Sequence, residues 1–212
     1  MSGLDGKHAL AEAERVYIIG PPGSGKSTLG RRLSQVTALP VHDLDEVYRQ
    51  GGGRNPLRPE DQRDTAVRQI IGSRRWIVEG VHLGWTDGLL DAAQVIIWLD
   101  HLSWPRLAMR ITRRFAAGAA DEVGRQRGRR RFLRFGDYYR HMNELAGELR
   151  DALAYPRATR RGAHDTPVRD ETLRKLEPHF DRVIHIRRSA DVEELVRQAS
   201  RIQGPAAMPE ML

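Results

Sequence analysis

The chain has 212 residues, of which 40% are hydrophobic and 30% charged, and these proportions predict one globular domain with a substantial core. It contains no cysteine, which excludes disulfides and thiolate metal sites. No apolar run approaches the roughly 20 residues that a membrane-spanning helix needs, so we expect no membrane partner. The 35 lysines and arginines exceed the 28 acidic residues, and the formal net charge of +7 favours an anionic partner.

Residues 1–14 mix charged residues with alanine and are predicted to form a flexible N-terminus. They lack the apolar core of a secretory signal, and together with the absence of cysteine this predicts a cytoplasmic location. A single domain is predicted over residues 15–203, followed by a tail at 204–212.

Short apolar strands alternate with amphipathic helices along this domain. The predicted strands are residues 16–19, 41–44, 75–78, 94–99 and 182–186. The predicted helices are residues 25–36, one that opens at Pro59, 85–93, 104–115, 137–155, 172–180 and 190–202. The alternation predicts an α/β fold with a parallel sheet covered on both faces, and ligands bound at the carboxyl ends of its strands.

The sharpest motif lies between the first strand and the first helix, where residues 20–28 read GPPGSGKST and fit G-x-x-x-x-G-K-[ST]. Gly23 and Gly25 let the backbone turn so that successive N–H groups point at phosphate, and the following helix adds its positive end. Lys26 would place an ammonium near the β- and γ-phosphates, and the Ser27 hydroxyl would complete the coordination of Mg²⁺. The residues predicted to bind the nucleotide here are Gly20, Gly23, Ser24, Gly25, Lys26, Ser27 and Thr28.

The alternative for this stretch is a Gly-Pro-rich turn between two core elements. A plain turn does not require a lysine and a hydroxyl at these positions. The flanking residues also read as a strand before the loop and as a helix after it, with Leu29 and Leu33 at helical spacing. We therefore interpret the stretch as a phosphate-binding loop.

Acidic residues follow the second and third predicted strands. Asp43 and Asp45 would face the same crevice as Ser27, where a carboxylate can hold Mg²⁺ through water or accept a proton from an attacking hydroxyl. Glu79 could join the Mg²⁺ shell or orient the nucleophile, and Gly80 would let a substrate approach the backbone. The alternative for the two aspartates is a helix cap or a solvated loop acid. His82 also follows Gly80, and we interpret it as a bystander.

Arginines form a third group. Arg110 and Arg114 lie four residues apart on one predicted helix and therefore share a face, from which they could close over phosphates in the transition state. The run from Arg125 to Arg134 follows within a glycine-containing segment that could close in the same way. The alternative for these arginines is a solvated basic face, which in the long run could contact nucleic acid.

These residues make the chain resemble the adenylate-kinase-like P-loop kinases, and within them the small proteins labelled DNA topology modulation protein. The resemblance spans most of residues 15–200 and rests on IIGPPGSGKSTLGRRLS, LPVHDLDEVY, the stretch from WIVEGVHLGW to RLAMRITRR, and RVIHIRRSADVEELV. It implies a three-layer sandwich with a five-stranded parallel sheet of order 2-3-1-4-5, helices on both faces, and an arginine-rich lid at about residues 116–136. Glu79 stands where this subgroup usually has aspartate, and Val81-His82 where it has Asn-Tyr.

The resemblance also implies ligands. It implies that ATP and Mg²⁺ bind at Gly23, Gly25, Lys26, Ser27 and Thr28. It places Arg110 and Arg114 as a pair that contacts the adenine and a phosphate, and it places Arg187 and Arg188 where such kinases wrap the base.

The sequence thus predicts an ATP-binding phosphotransferase that moves the γ-phosphoryl group of Mg·ATP to a small acceptor. Lys26, Asp45, Arg110 and Arg114 are its expected catalytic residues, and Asp43, Asp45, Glu79 and Gly80 its expected acceptor site. The alternative is a nucleotide-responsive nucleic-acid-binding or regulatory protein that uses the Arg125–Arg134 run. The sequence names neither the acceptor nor the pathway, does not separate ATP from GTP, and leaves a monomer and a homodimer open.

Overall fold

The computed structural model describes residues 10, 12–50, 56–82, 84–101, 104–126, 143, 145–150, 153 and 169–202. Five strands form one parallel sheet in the order β2-β3-β1-β4-β5, which confirms the predicted order. The strands are β1 (Arg15–Ile19), β2 (Val41–Asp43), β3 (Trp76–Glu79), β4 (Val95–Leu99) and β5 (Val183–Ile186).

Seven α-helices and one short 3₁₀ helix are formed by the described residues. They are α1 (Lys26–Thr37), α2 (Leu44–Tyr48), α3 (Glu60–Gly72), α4 (Asp87–Ala92), α5 (Trp104–Gln126), α6 (Arg169–Leu176), the 3₁₀ helix (Glu177–Arg182) and α7 (Ser189–Ile202). Residues 145–150 are also helical, within the helix predicted at 137–155. Most of that predicted helix, and Arg127–Arg134 of the predicted lid, lie outside the described residues.

Several boundaries differ from the prediction, most of them by one to three residues. The helix predicted to end near Phe115 continues to Gln126, because the alanines that follow favour helix strongly enough to offset Gly118. The predicted helix 172–180 divides at Leu176, because Pro178 fits only the first turn of a new 3₁₀ helix. The second strand ends one residue early, at Asp43, and the unpredicted helix α2 starts there.

Alternate side chains of each strand enter two separate cores, one on each face of the sheet. On one face Ile18 and Ile97 pack with Leu29 and Leu33 of α1 and with Leu195 of α7. The other face carries a second set that is packed under α2, α3, α4 and α6; its members are Tyr17, Ile19, Trp76, Val78, Ile96, Trp98, Leu44, Val67, Ile70, Leu89, Leu90 and Leu176. The chain therefore forms the predicted three layers, with helices on both faces of the sheet.

The end of the segment predicted to be flexible packs against the first core. Leu10 and Ala13 are buried there, with 2% and 9% of their surfaces exposed. Residues 1–9 and 11 and the tail from 203 lie outside the described part of the chain. Among the helices that the structure describes, none combines the length and the apolar character that crossing a membrane requires.

Candidate active site

The phosphate-loop sequence connects β1 to α1, as the motif predicts. Gly23 and Gly25 adopt φ values of 75° and 100°, which residues with a Cβ rarely adopt. Gly25 caps α1 without a side-chain hydrogen bond, and the N–H groups of Lys26 and Ser27 donate to no described backbone carbonyl. The loop therefore presents unpaired backbone donors at a positive helix end, an arrangement that suits phosphate.

Lys26 lies at the centre of the charged groups. Its Nζ donates to the carbonyl oxygen of Pro21 at 3.2 Å, so the side chain folds back over its own loop. Burial lowers the pKa of Lys26, while the nearby carboxylates of Glu79 and Asp45 act in the opposite direction. The acidic residues predicted from the ends of β2 and β3 thus do converge on this lysine.

The hydroxyl residues of the loop differ in exposure. Ser27 and Thr28 are exposed at the start of α1, where a ligand can reach them. Ser24 is only 2% exposed, and its Oγ has no hydrogen-bond partner among the described residues. Ser27 and Thr28, rather than Ser24, are consequently the hydroxyl residues of this loop that a ligand can reach.

Asp45 lies on α2 and faces the crevice. Its Oδ1 is 2.8 Å from Nε2 of His82, and its side chain remains 73% exposed. The hydrogen bond with His82 lowers the pKa of the Asp45 carboxyl, and the charges of Lys26 and Arg114 lower it further. An ionised, accessible carboxylate beside Lys26 can accept a hydrogen bond from the hydroxyl group of an acceptor.

Asp43 has a different surrounding, although it is only two residues away. Its Oδ1 accepts a hydrogen bond from the backbone N–H of Asp45 at 2.8 Å and so caps α2. Burial and the neighbouring Glu79 carboxylate raise the pKa of Asp43 to about 6. Helix capping, which the sequence left open as the alternative for Asp43, is therefore its observed contact.

Replacing Asp43 with asparagine is expected to change how stability depends on pH. Asn keeps the cap, but it removes a carboxyl whose pKa is about 6 when folded and 3.8 when exposed. The folded state binds this proton more tightly, so the contribution of Asp43 to stability is full below the lower pKa and is lost as pH rises through the higher one. Denaturant unfolding of both proteins from about pH 4 to about pH 8 should show that the free energy of unfolding of wild type falls relative to that of the variant as the pH rises. A stability difference that stays constant over this range contradicts the expectation.

Glu79 and Gly80 lie at the carboxyl end of β3. Glu79 is only 3% exposed and pairs in register with Asp43 and Ile18 of the adjacent strands. A Cβ on Gly80, whose φ is 153°, would lie 2.6 Å from the Cβ of Leu44. The observed role of Gly80 is thus to let α2 pack against the end of β3, which sets the position of Asp45.

The predicted arginine pair lies above the loop, with its two members in different contacts. A Cβ on Gly25 would lie 3.5 Å from a guanidinium nitrogen of Arg110, so Arg110 sits directly over the phosphate loop. Arg114 forms an ion pair with Glu148 and lies close enough to Lys26 and Asp45 to affect the pKa of both. Arg110 therefore lies next to Gly25 of the loop, and Arg114 lies near Lys26.

Glu148 enters the crevice from the helical segment 145–150. Leu145 and Leu149 of this segment pack on Leu107, Ile111 and Phe115 of α5, and this packing directs Glu148 toward Arg114. Burial raises the pKa of Glu148, the Asp45 carboxylate adds to the rise, and Arg114 opposes it. The sequence analysis did not find this residue.

Arg187 is not brought to the loop by any contact in the described part of the chain. Its Nε donates to Nδ1 of His185 at 3.2 Å, and the neighbouring Arg188 pairs with Asp191. His185 in turn bonds to Asp100 and stacks on Trp98 at 4.1 Å. The predicted contact of Arg187 with the base stays a prediction.

His82 and two aromatic neighbours form a wall beside Asp45 that the sequence analysis missed. The His82 ring lies 4.7 Å from Tyr48 and 5.3 Å from Trp85, and the guanidinium of Arg63 covers Trp85 at 4.8 Å. His82 therefore contacts Asp45, one of the predicted site residues, which its interpretation as a bystander did not anticipate. The only available signal was its place two residues after Gly80, next to the carboxyl end of a predicted strand.

Within the described residues, no group of three or more His, Asp or Glu side chains is arranged to hold a metal ion by itself. The exposed Ser27 hydroxyl and the carboxylates of Asp45 and Glu79 nevertheless border the same loop. Mg²⁺ commonly takes few protein ligands and completes its shell with water and phosphate oxygens. The donor set at this loop therefore fits Mg²⁺ carried by a nucleotide.

No protein-family profile matches the chain. Among curated proteins, shikimate kinase of Rhodococcus jostii (strain RHA1) is 48% identical over 42 residues, which are 20% of this chain and 25% of that enzyme. Shikimate kinase of Shewanella sp. (strain ANA-3) is 43% identical over 44 residues, which are 21% of this chain and 26% of that enzyme. The chain thus matches about a quarter of the length of these relatives.

Among solved structures, shikimate kinase from Acinetobacter baumannii in complex with shikimate aligns with this chain. The alignment covers 95% of this chain and 99% of that one, with 15% sequence identity and a TM-score of 0.47.

Proposed function

We propose that the protein is an ATP-dependent kinase that transfers the γ-phosphoryl group of Mg·ATP to a hydroxyl group of a small acceptor. The observation that carries this proposal is the convergence of Lys26, Asp45 and Arg114 beside the open phosphate loop. An ionised carboxylate beside the loop can help to hold nucleotide-bound Mg²⁺ or accept the proton of an acceptor hydroxyl group, and phosphoryl transfer uses the second role. The short match with shikimate kinases supports the same class of reaction.

The loop and the cations around it would bind the phosphates of ATP and stabilise the charge on the transferring phosphoryl group. The N–H groups of α1's first turn would hold the β-phosphate, and Lys26 would leave the Pro21 carbonyl to reach the γ-phosphate. Arg110 and Arg114 would neutralise the charge that spreads over the transferring group. Mg²⁺, held in part by Ser27, would supply further charge neutralisation when bound.

Asp45 would receive the acceptor. The acceptor's hydroxyl oxygen forms a bond to the γ-phosphorus, the bond from that phosphorus to the bridging oxygen breaks, and ADP leaves. The hydroxyl proton passes to the Asp45 carboxylate, which is ionised because His82 and Lys26 lower its pKa. We further propose that Glu79, buried beneath this point, orders the water around Mg²⁺.

The test is a screen of ADP release from Mg·ATP, and of GDP release from Mg·GTP, against a panel of acceptors. The panel should contain shikimate, other hydroxy acids, sugars, nucleosides, nucleoside monophosphates and short oligonucleotides. We expect ADP release that depends on one class of hydroxylated acceptor and is lost when Mg²⁺ is chelated. A panel in which no acceptor raises ADP release above the rate in its absence contradicts the proposal.

Several finer expectations stay predictions from the sequence. They are the subgroup resemblance, a cytoplasmic location, and a monomer or homodimer. Nucleic-acid binding through the Arg125–Arg134 run also stays the alternative, and most of that run lies outside the described residues. Steeply salt-dependent binding of an oligonucleotide, reduced by neutralising the run, would support that alternative.

A further inference from the structure

We propose that His82 is a positioning residue, which holds the Asp45 carboxylate in the orientation that receives the acceptor's hydroxyl group. This inference rests on the proposed function. It assigns a role to a side chain that neither touches the phosphate loop nor belongs to its motif.

The contact itself fixes one oxygen of the carboxylate. His82 Nε2 and Asp45 Oδ1 are 2.8 Å apart, and because an ionised carboxylate only accepts, Nε2 must carry the hydrogen. The second oxygen, Oδ2, makes no hydrogen bond among the described residues and stays available to a ligand. Holding Oδ1 thus restricts the rotation of the whole carboxylate and leaves Oδ2 available to accept a hydrogen bond.

The imidazole ring is held from two elements. Tyr48 and Asp45 lie three residues apart on α2, so they share a face of this helix. Tyr48 stacks on the His82 ring at 4.7 Å, while Trp85 from the loop before α4 contacts the ring at 5.3 Å. The same ring that bonds to Asp45 therefore fastens α2 to the loop after β3.

The backbone of His82 is also tied to the centre of the sheet. The Thr86 hydroxyl donates to the carbonyl oxygen of His82, and the Tyr17 hydroxyl donates to Thr86 Oγ1 at 3.3 Å. Tyr17 on β1 and Thr86 are both completely buried. The position of Nε2 is consequently set by rigid core groups, which is what a positioning residue needs in order to fix another side chain.

The chain contains a matched pair for comparison. His179 Nε2 lies 3.5 Å from Asp91 Oδ1, and the two side chains are 12% and 71% exposed, against 14% for His82 and 73% for Asp45 at the site. Asp91 lies in the last turn of α4 and His179 in the 3₁₀ helix, and neither belongs to the phosphate-loop motif. Identical substitutions in this pair remove a histidine–carboxylate contact of similar exposure, together with the 2.7 Å contact of His179 with Arg182, and leave His82 and Asp45 unchanged.

The kinetic test uses two variants of His82. His82→Phe keeps a stacking ring but has no hydrogen-bond donor, whereas the amide of His82→Gln can replace Nε2–H. His179→Phe is the control. We expect His82→Phe to lower the kcat of transfer about tenfold or more, as loss of one charge-assisted hydrogen bond implies. The KM for Mg·ATP should stay within about twofold of wild type, since the contact does not involve ATP binding. His82→Gln and His179→Phe should keep most of the activity. Equal losses in the Phe and Gln variants overturn the proposal.

A second experiment tests the contact between His82 and Asp45 without measuring phosphoryl transfer. Nitrogen NMR of histidine-labelled protein should show an Nε2–H proton on His82 that exchanges slowly in wild type and in Asp91→Asn. This signal should shift and exchange faster in Asp45→Asn. A His82 signal that is unchanged in Asp45→Asn overturns the proposal even if transfer is observed. If no acceptor in the panel is phosphorylated, the proposed function fails, while the NMR comparison still decides whether His82 holds Asp45.

Discussion

Replacing Lys26 with alanine is expected to lower the rate of phosphoryl transfer by about a thousandfold or more, because a preorganised cation facing the transferring group is lost. Lys26 lies beside Glu79 and Asp45, so its removal also leaves two carboxylates close to where the γ-phosphate would sit. The affinity for Mg·ATP should fall by about tenfold or more, the effect of losing one charged hydrogen-bond donor. ADP release and calorimetric titration with a non-hydrolysable ATP analogue measure the two effects separately.

Lys175→Ala is the matched control for this experiment. Lys175 pairs with Asp87 at 2.7 Å on the surface, so its removal subtracts one positive charge without disturbing the loop. Circular dichroism and the thermal midpoint should be followed in both variants to verify that each is folded. If folded Lys26→Ala binds the analogue as tightly as wild type, residues 20–28 are not a nucleotide site.

Much of the fold follows from local patterns. The β4 strand is apolar on both faces because it is covered on both sides, and its run VIIWL predicts this directly. The phosphate loop is equally local, since the positive φ values at Gly23 and Gly25 are what its glycines allow. The convergence of Asp45, Glu79 and Lys26 was predictable for a related reason, because parallel strands deliver their carboxyl ends to one edge.

Contacts between distant segments were not predictable in this way. His82 and Asp45 are 37 positions apart, and Glu148 and Arg114 are 34 apart. Neither pair produces a periodic pattern, since each depends on how a loop or helix packs after the sheet has formed. The helix α2 was missed for a different reason: at five residues it is too short for periodicity, and only the cap at Asp43 marks its start.

The two aspartates of the DLD stretch have different contacts and therefore oppositely shifted pKa values. Asp43 points its carboxylate at a backbone N–H beside the buried Glu79, and its pKa is raised to about 6. Asp45 meets His82, Lys26 and Arg114, and its pKa is lowered. Neighbouring carboxyls with oppositely shifted pKa values commonly have different roles at a site. Here the cap belongs to Asp43, and the exposed, ionised group is Asp45.

Asp45→Asn is therefore expected to lower the kcat of transfer by about a hundredfold to ten-thousandfold, the range for removal of a general base. The affinity for Mg·ATP should change by much less, because Lys26, Arg110 and the loop donors remain in place. Asn is nearly the same size as Asp, so the packing of α2 against Gly80 is retained. Single-turnover transfer and nucleotide titration distinguish loss of chemistry from loss of binding.

Asp91→Asn provides the comparison, since Asp91 has a similar exposure and a histidine partner but no place in the crevice. The relative sizes of the losses in kcat also test the roles assigned to Asp45 and His82. If Asp45 receives the proton and His82 only orients it, Asp45→Asn must reduce kcat more than His82→Phe, and the double variant must resemble Asp45→Asn alone. Effects of the two single variants that multiply in the double variant would mean that the residues act independently. In that case Asp45 takes its orientation from α2, and the wall formed by Tyr48, His82 and Trp85 serves the acceptor directly.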